Sequence, residues 1–226
     1  MHGCGLNAFF TTKRLGGDVK GISAYTGIDI SNIYLPIQRH TDKVIVLWDR
    51  EEPRIADAVI TRMKDILIGV VVADCVPVLL YDPDKGVVGA VHAGWRGTAS
   101  GILKKAIDAM VDTFYSDTHD IRVAFGPSIR WCCYHVGYEV IDAVSKATGD
   151  GDYYIKRDGA YCLDLQTTNR YQAVSTGILE ENIWLSTECT YCYPDRFYSY
   201  RYSKGPTGRQ GGFTCLRAAH RQVGMI

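Results

Sequence analysis

Apolar runs dominate the first half of the chain. They are short and rich in β-branched residues, which is the pattern of β-strands. Because they are apolar throughout, without regular alternation with polar residues, we expect strands that are covered on both faces of a sheet. The turn-forming sequence Asp-Pro-Asp-Lys-Gly at 82–86 separates two of the runs, which predicts a β-hairpin. The runs are residues 44–48, 58–61, 66–73, 76–81 and 87–92.

Helical periodicity starts after these strands. Between residues 102 and 114 the apolar side chains recur at steps of one, three and four, which predicts an amphipathic helix over 98–115 with Thr98 as its N-cap. Two more helices are predicted over 137–147 and 164–176, the second capped by Asp164. Since strands and helices come in blocks, the pattern favours an α+β fold over a doubly wound sheet. Short strands are predicted at 121–125, 183–185, 197–201 and 213–216.

The composition is that of a globular protein, since 46% of the 226 residues are hydrophobic and 22% are charged. The length suits one domain over residues 1–226. The 25 basic and 25 acidic residues leave no net charge, so we expect no nucleic-acid partner and no anionic membrane surface. The chain shows no signal peptide and no apolar run near the ~20 residues of a membrane span. We therefore expect a cytoplasmic protein, with a monomer favoured.

Eight cysteines need a reason other than secretion. We expect Cys4, Cys162 and Cys215 to be inert packing residues. Another two, Cys189 and Cys192, form a CxxC motif, but the turn-forming sequence that follows them does not suit a redox helix.

A structural zinc site at that CxxC motif requires a second pair of ligands, and no pair is spaced for it along the sequence. We therefore expect neither a redox nor a metal role there. The vicinal cysteines Cys132 and Cys133 receive no role.

Cys75 and His92 occur at the ends of the predicted hairpin. Cys75 lies where one apolar run ends and the next begins, and His92 ends the partner strand. Two adjacent strands therefore present a thiol and an imidazole at one edge of the sheet. The pair suits a zinc site or a cysteine nucleophile with a histidine base. A buried cysteine and a hydrogen-bonded histidine are the alternative, and spacing alone does not decide.

His40 is a candidate for a third ligand because it leads directly into the group of strands. His135, which follows the vicinal cysteines, also remains open. Spacing does not show that either of them meets Cys75 and His92.

The segment after His92 has the sequence of an anion site. Gly94 and Gly97 flank Arg96, and Thr98 follows at the start of the predicted helix. A glycine-containing turn before a helix offers backbone N–H groups, and an arginine adds a planar cation suited to phosphate oxygens. A tight turn with a solvated arginine is the alternative. Together with the metal-type ligands, the segment suggests a reaction that involves phosphate.

A second basic group lies near the C-terminus, where Arg196, Arg201, Lys204 and Arg209 fall close together. Such a group is usually solvated surface. Arg201 and Arg209 are nevertheless candidates for holding the phosphate or the polar groups of the substrate.

Several motifs occur in the order found in one known family, the laccase-domain family, which the chain resembles over nearly its whole length. Members have been described as polyphenol oxidases, as zinc-dependent purine nucleoside phosphorylases and as peptidoglycan-editing factors. The motifs are FFTTKRLGG (9–17), QRH (38–40), ADAVITR (56–62), VVADCVPVLLYD (71–82), VHAGWRGT (91–98), AFGPSI and CYHVGYEV (124–140), LDLQTTNR (163–170), and CT, FYSYR and GR within 189–209.

The resemblance implies packed mixed β-sheets flanked by helices, similar to the catalytic domain of cytotoxic necrotizing factor toxins. It implies that His40, Cys75 and His92 bind Zn²⁺, with copper less suited. It further implies a metal-dependent pentosyltransferase that converts inosine or adenosine and phosphate to the base and ribose 1-phosphate. Adenosine deaminase and methylthioadenosine phosphorylase activities are expected beside it. In this scheme Asp74 and Arg96 join Cys75 in the catalytic group.

Three other interpretations use the same residues. Without a metal, a Cys75 nucleophile and a His92 base make a cysteine-dependent hydrolase or an editing enzyme for a peptidoglycan precursor. A copper polyphenol oxidase is disfavoured, because a multicopper centre needs on the order of ten imidazoles and the chain has six histidines. A metal-stabilised binding module without turnover is the third. The chain departs from the family pattern at Thr41, at His135 and at 210–212, which affects the expected substrate more than the metal.

Overall fold

The computed structural model describes residues 5–157 and 159–218, and within them it has three β-sheets and six α-helices. The strands are β1 (Gly5–Phe10), β2 (Ile33–Tyr34), β3 (Val44–Leu47), β4 (Ala58–Thr61), β5 (Leu67–Val72), β6 (Val76–Asp82), β7 (Val87–Ala93), β8 (Arg122–Phe125), β9 (His135–Val136), β10 (Tyr154–Arg157), β11 (Ala160–Leu163), β12 (Ile183–Leu185) and β13 (Gln210–Arg217). The helices are α1 (Val19–Thr26), α2 (Trp95–Ala99), α3 (Ile102–Phe114), α4 (Tyr138–Thr148), α5 (Leu165–Ser175) and α6 (Tyr200–Ser203).

A six-stranded sheet in the order β12-β8-β6-β7-β4-β3 forms the central layer. The predicted hairpin is confirmed, since β6 and β7 pair antiparallel at its centre. Asp82 closes the turn because its Oδ1 accepts the backbone N–H groups of Asp84 at 2.8 Å and Lys85 at 2.9 Å. This carboxylate explains why the turn sequence fixes the register of the hairpin.

Both faces of the central sheet are covered, as the apolar runs predict. Side chains alternate between the faces of a strand. On β4, Ala58 and Ile60 pack in the core beneath the helices, and Val59 between them packs in the core shared with the second sheet. That second sheet has the order β1-β13-β5-β2, and Ile22 of α1 packs on its outer face.

The helices α3, α4 and α5 form the layer on the other side of the central sheet. The face of α3 that the periodicity predicts is the buried one. α5 begins at its predicted cap, where Asp164 Oδ1 accepts the backbone N–H of Thr167 at 3.0 Å. The buried residues of α3 are Ile102, Leu103, Ala106, Ile107, Met110 and Phe114.

The α+β fold of mixed sheets and flanking helices is therefore confirmed. A small sheet in the order β10-β11-β9 lies beside α4. None of the helices in the described residues is long and apolar enough to cross a membrane. The similarity to the toxin fold and the assignment of residues 1–226 to one domain stay predictions.

The predicted helix over 98–115 is wrong at its start. Two helices, α2 and α3, occupy this stretch, and Gly101 between them has a φ of 72°. Glycine adopts this left-handed conformation without a steric penalty, so the first helix ends there. Thr98 consequently lies inside α2 and is not an N-cap. Its Oγ1 accepts a hydrogen bond from Asn169 Nδ2 at 2.9 Å.

The predicted strand at 197–201 is also wrong, because α6 begins within it. Ser199 caps this short helix by accepting the backbone N–H of Tyr202 at 3.0 Å. The N–H of Arg201 donates to Asp74 Oδ2 at 2.7 Å. Local capping and a carboxylate distant in sequence therefore outweigh the strand propensity of the aromatic residues.

Candidate metal centre

The hairpin brings Cys75 and His92 to one edge of the central sheet, as predicted. Pro77 of β6 pairs with His92 of β7, and Val76 pairs with Ala93. Cys75 directly precedes β6, so its thiol lies beside the end of β7. The His92 side chain is buried and Cys75 is half-buried.

His40 joins them from the loop before β3. Its φ of 57° lies in the left-handed region, so the loop needs support in this conformation. Asp57, directly before β4, gives that support. Its Oδ2 accepts the N–H groups of Arg39 at 3.2 Å and Thr41 at 2.6 Å, and its Oδ1 accepts the N–H of His40 at 3.0 Å.

The same carboxylate orients His92. Asp57 is fully buried, and its Oδ1 lies 2.7 Å from His92 Nδ1. A hydrogen bond at Nδ1 fixes the tautomer and leaves Nε2 as the nitrogen available to a metal. One buried carboxylate thus positions two of the three predicted ligands.

The three predicted ligands meet. The donor atoms of His40, Cys75 and His92 all lie within 4.8 Å of one another, and Cys75 Sγ is 3.9 Å from His40 Nε2. Gly94 keeps the space beside them open, since a Cβ at this position would lie 2.9 Å from Cys75 Sγ. Two imidazoles and one thiolate at these separations fit a single metal ion. His135 is not in this group, because its Nδ1 lies 3.5 Å from Cys162 Sγ.

The electrostatics favour the thiolate of Cys75. Burial raises the pKa of Cys75, but the positive charge of His92 and the contact with His40 outweigh burial and lower the pKa to about 6. Burial lowers the pKa of His92, but the Cys75 thiolate and Asp57 raise it to about 9. Burial also raises the pKa of Asp57, which hydrogen bonds from His92 and Thr41 then hold well below its usual range. The thiolate is the form that binds metals.

A cavity of about 630 Å³ opens over the three donors. Arg96, Arg201 and Arg209 line it, and all three are exposed. The arginines that the sequence nominates for phosphate therefore share one cavity with the predicted metal ligands. Arg96 stacks on Trp95, with its guanidinium carbon 4.4 Å from the ring centre.

The predicted glycine turn does not form part of the cavity wall. Gly94, Gly97 and Thr98 are all buried and none of them lines the cavity, although Gly94 lies against the donors. A Cβ on Gly97 would lie 3.1 Å from Ile102 and 3.4 Å from the carbonyl oxygen of Thr41, which explains the glycine as a close approach between elements. Thr98 donates its N–H to the Gly94 carbonyl at 2.8 Å, so the structure does not bring it to the cavity.

Asp74 lies in the cavity wall and ties together two distant segments. Its φ is 85°, and its Oδ1 accepts the hydroxyl of Thr190 at 2.7 Å. Its Oδ2 accepts the backbone N–H of Arg201, as described above. The side chain of Arg201 then donates from Nη1 to the His135 carbonyl at 2.8 Å. These contacts give Asp74 a positioning role for Arg201, and an acid–base role stays a prediction.

Sequence reasoning missed two groups at this site. Asp57 is one, although a carboxylate within an apolar run is a signal of a buried polar role. Tyr134 is the other: its side chain is buried and lines the cavity. Burial, with the Cys75 thiolate beside it, raises the pKa of Tyr134, so its hydroxyl stays protonated at neutral pH.

The cysteines outside this centre divide into two groups. Cys162 and Cys215 are buried, in agreement with a packing role, and Cys4 lies outside the described residues. The expectation that the CxxC motif has no second pair nearby is wrong. Four thiols lie within 4.8 Å of one another, those of Cys132, Cys133, Cys189 and Cys192.

Comparisons with known proteins agree in fold and in family. The family model described as "Multi-copper polyphenol oxidoreductase laccase" matches residues 15–217. A "Purine nucleoside phosphorylase" of Aquifex aeolicus is 40% identical over 192 residues, which cover 84% of this chain and 85% of the relative. "Adenosine deaminase RL5" from an unknown prokaryotic organism is 33% identical, with 87% and 88% covered. The crystal structure of the Bacillus licheniformis hypothetical protein YfiH superposes with a TM-score of 0.88 at 28% identity, covering 94% of this chain and 93% of that one.

Proposed function

Since the chain belongs to the family described as multi-copper polyphenol oxidoreductase laccases, and relatives of similar length are named purine nucleoside phosphorylase, we propose that it is a zinc-dependent purine nucleoside phosphorylase. The observation that carries this proposal is one cavity of about 630 Å³ that holds a three-donor metal centre and three arginines. Its substrates are a purine nucleoside and inorganic phosphate, and its products are the base and ribose 1-phosphate.

The donor set suits a catalytic zinc ion. Three protein ligands with a fourth position open to a cavity form the usual catalytic zinc pattern. A blue-copper centre uses the same three ligand types with a long axial methionine. Neither Met63 nor Met110 lines this cavity, and Met110 is buried in the core beneath the helices. The open cavity also suits turnover better than electron transfer.

When bound, a zinc ion at His40, Cys75 and His92 supplies a Lewis acid that polarises an oxygen of the substrate or of water. Asp57 holds His92 in the tautomer that can bind the ion. The guanidinium groups of Arg96, Arg201 and Arg209 bind the phosphate and place it for attack on C1′ of the nucleoside.

The protonated hydroxyl of Tyr134 is a neutral hydrogen-bond donor at the cavity wall. It can orient an oxygen or nitrogen of the nucleoside without adding charge. Asp74 holds the backbone of Arg201 in place at the same wall. Deamination of adenosine and phosphorolysis of methylthioadenosine are the side activities we expect in this cavity. Deamination is expected because a bound zinc ion would also activate water for attack on C6 of the purine, where ammonia leaves.

The test of this proposal is a product assay. The purified protein is incubated with inosine and with adenosine, each with and without phosphate, and hypoxanthine, adenine, ammonia and ribose 1-phosphate are measured. Release of base only when phosphate is present supports the phosphorylase. Ammonia from adenosine without phosphate shows the deaminase side activity. No product in any condition, from protein with its metal bound, overturns the proposal.

A cysteine hydrolase is the second candidate, and one observation favours it. In space, the imidazole of His92 lies between the carboxylate of Asp57 and the thiol of Cys75. This is the arrangement of groups in a cysteine–histidine–aspartate triad. Chelation separates the two candidates, because a hydrolase of this kind keeps its activity after the metal is removed and the phosphorylase loses it.

A further inference from the structure

Four cysteine thiols form a second cluster beside the candidate metal centre, and none of them lines its cavity. Cys132 and Cys133 lie in the loop between β8 and β9, and Cys189 and Cys192 lie in the loop after β12. The Sγ of Cys192 is 3.7 Å from that of Cys132 and 3.3 Å from that of Cys133. All four sulfurs lie within 4.8 Å of one another although the two pairs are 56 or more residues apart in the chain.

The backbone holds the two loops together independently of the thiols. Ser128 and Cys189 form a parallel β-bridge, and the N–H of Thr190 donates to the Ser128 carbonyl at 3.0 Å. The Sγ of Cys189 accepts the N–H of Arg130 at 3.4 Å. An N–H group directed at a sulfur stabilises a thiolate, so this contact favours a charged sulfur.

We propose that Cys132, Cys133, Cys189 and Cys192 form a structural tetrathiolate site for one Zn²⁺ ion. Zinc binds four thiolates in a tetrahedron at about 2.3 Å, which places the sulfurs roughly 3.8 Å apart. The measured separations of 3.3 and 3.7 Å are close to that spacing. An iron–sulfur cluster of four irons does not fit among sulfurs that all lie within 4.8 Å, because its cysteine sulfurs stand outside a cube of metal and sulfide.

A disulfide explains the cluster less well than a metal does. One disulfide between Cys192 and either vicinal cysteine leaves the other two thiols of the cluster unused. It also leaves the N–H of Arg130 directed at an uncharged sulfur. A single ion uses all four thiols and the charge that this contact stabilises.

The site would support the wall of the catalytic cavity. Tyr134, which lines the cavity, follows Cys133 directly in the chain. Thr190, within the CxxC motif, donates its hydroxyl to Asp74, and the N–H of Ile129 donates to the Asp74 carbonyl at 2.9 Å. An ion that joins the two loops therefore holds Asp74 and Tyr134 in position through neighbouring residues, without contacting substrate.

The metal content of purified variants tests the proposal. The chain is purified in reducing buffer, and zinc per chain is measured for the natural protein, for Cys192→Ser and for Cys215→Ala. We expect Cys192→Ser to contain one zinc fewer than the natural protein, and Cys215→Ala, a cysteine of the other sheet, to contain as much. The difference counts this site alone, whether or not the cavity site is filled. Equal zinc in the natural protein and in Cys192→Ser overturns the proposal.

Two further measurements guard against a loss of metal through misfolding. Cys192→His keeps a ligand, so we expect it to retain the zinc that Cys192→Ser loses. Cobalt in place of zinc should show intense sulfur-to-metal charge-transfer bands, weaker in Cys192→His than in the natural protein because one thiolate is missing. A mass lower by two hydrogens in the non-reduced protein, with no zinc lost on substitution, would show a disulfide and overturn the proposal.

Discussion

The two thiol-containing clusters differ in how many ligands the chain supplies and in what surrounds them. The cavity centre has three donors from His40, Cys75 and His92 and opens onto a volume of about 630 Å³. The cysteine cluster has four donors, and none of them lines that cavity. An ion with four protein ligands has no position left for substrate, whereas an ion with three does. The comparison indicates that one cluster is built for chemistry and the other for holding two loops.

The way the donors are supported differs as well. At the cavity centre the buried carboxylate of Asp57 holds the side chain of His92 and the backbone of His40. At the cysteine cluster, the backbone N–H of Arg130 is directed at a sulfur, the Sγ of Cys189. A carboxylate sets the tautomer and basicity of an imidazole, which matters for a reactive ion. Backbone groups only offset the charge of a thiolate, which suffices for a structural ion.

The largest expected effect comes from removing the thiolate of the cavity centre. Cys75→Ala should lose the cavity metal and reduce phosphorolysis about 1,000-fold or more, because a metal ion contributes several kcal/mol and each 1.4 kcal/mol is tenfold. The zinc of the cysteine cluster should remain. Metal analysis and the product assay measure both, with Cys215→Ala as the matched cysteine control. Retention of full activity by Cys75→Ala would show that the chemistry lies elsewhere.

A smaller effect is expected at the phosphate contact. Arg96→Ala should raise the KM for phosphate roughly 10- to 150-fold, since one charge-assisted hydrogen bond contributes about 1.5–3 kcal/mol. Zinc content should not change, because Arg96 is no ligand in either cluster. Saturation kinetics in phosphate measure the effect, and Arg50→Ala, an exposed arginine that does not line the cavity, is the control. An unchanged KM would remove Arg96 from the phosphate site.

Asp57→Asn should weaken the cavity metal about 10- to 100-fold by releasing the orientation of His92. It should also lower the free energy of unfolding of the metal-free protein by about 3 kcal/mol. Because folding lowers the pKa of Asp57, its stabilisation is present above its unfolded pKa of about 3.9 and is lost as the pH falls below that value. The variant should therefore lose less stability on acidification than the natural protein does.

Metal competition and denaturant unfolding at several pH values measure these changes. Asp82→Asn is the matched control, since Asp82 is equally buried and also accepts two backbone N–H groups, but in the hairpin turn. It should lower stability and leave metal affinity as it is. The same metal affinity in both variants would show that Asp57 does not orient a ligand.

The smallest expected effect separates the thiols of the two clusters in metal-free protein. The pKa of Cys75 is about 6, so its thiolate fraction rises about tenfold between pH 5 and pH 7. Burial raises the pKa of Cys132 to about 12, so its thiolate stays scarce over this range. Alkylation with iodoacetamide, followed by mass spectrometry of peptides, should show Cys75 reacting with that pH dependence and Cys132 reacting slowly throughout. Equal rates for both thiols would contradict the difference in their surroundings.

Much of the fold follows from local sequence, and the parts that do not are identifiable. The continuous apolar runs predict the central strands, and the periodicity after residue 98 predicts the buried face of α3. The elements that sequence reasoning missed are short or exposed, such as β10 (Tyr154–Arg157), whose residues are all exposed. A strand without an apolar pattern gives no signal of that kind. The helix break at Gly101 was missed because the apolar periodicity continues past it.

Local sequence predicts even less of the candidate site than of the fold. The hairpin register places Cys75 beside His92, because the two residues lie at the open ends of paired strands of one hairpin. His40 joins them only through the contacts of Asp57, so spacing did not reveal it and the family resemblance did. The four cysteines meet through the pairing of two loops, although the cysteines of one loop lie 56 or more residues from those of the other, and no local pattern encodes that approach.

Crystals of the protein grown with inorganic phosphate would test the central claim most directly, by anomalous diffraction on both sides of the zinc absorption edge. We expect two zinc peaks per chain. One lies among His40, Cys75 and His92 with a phosphate or solvent oxygen as the fourth ligand, and the other lies among the four cysteines with no ligand from outside the chain. Copper in place of zinc among His40, Cys75 and His92, or a zinc ion there closed to solvent and phosphate, would contradict it.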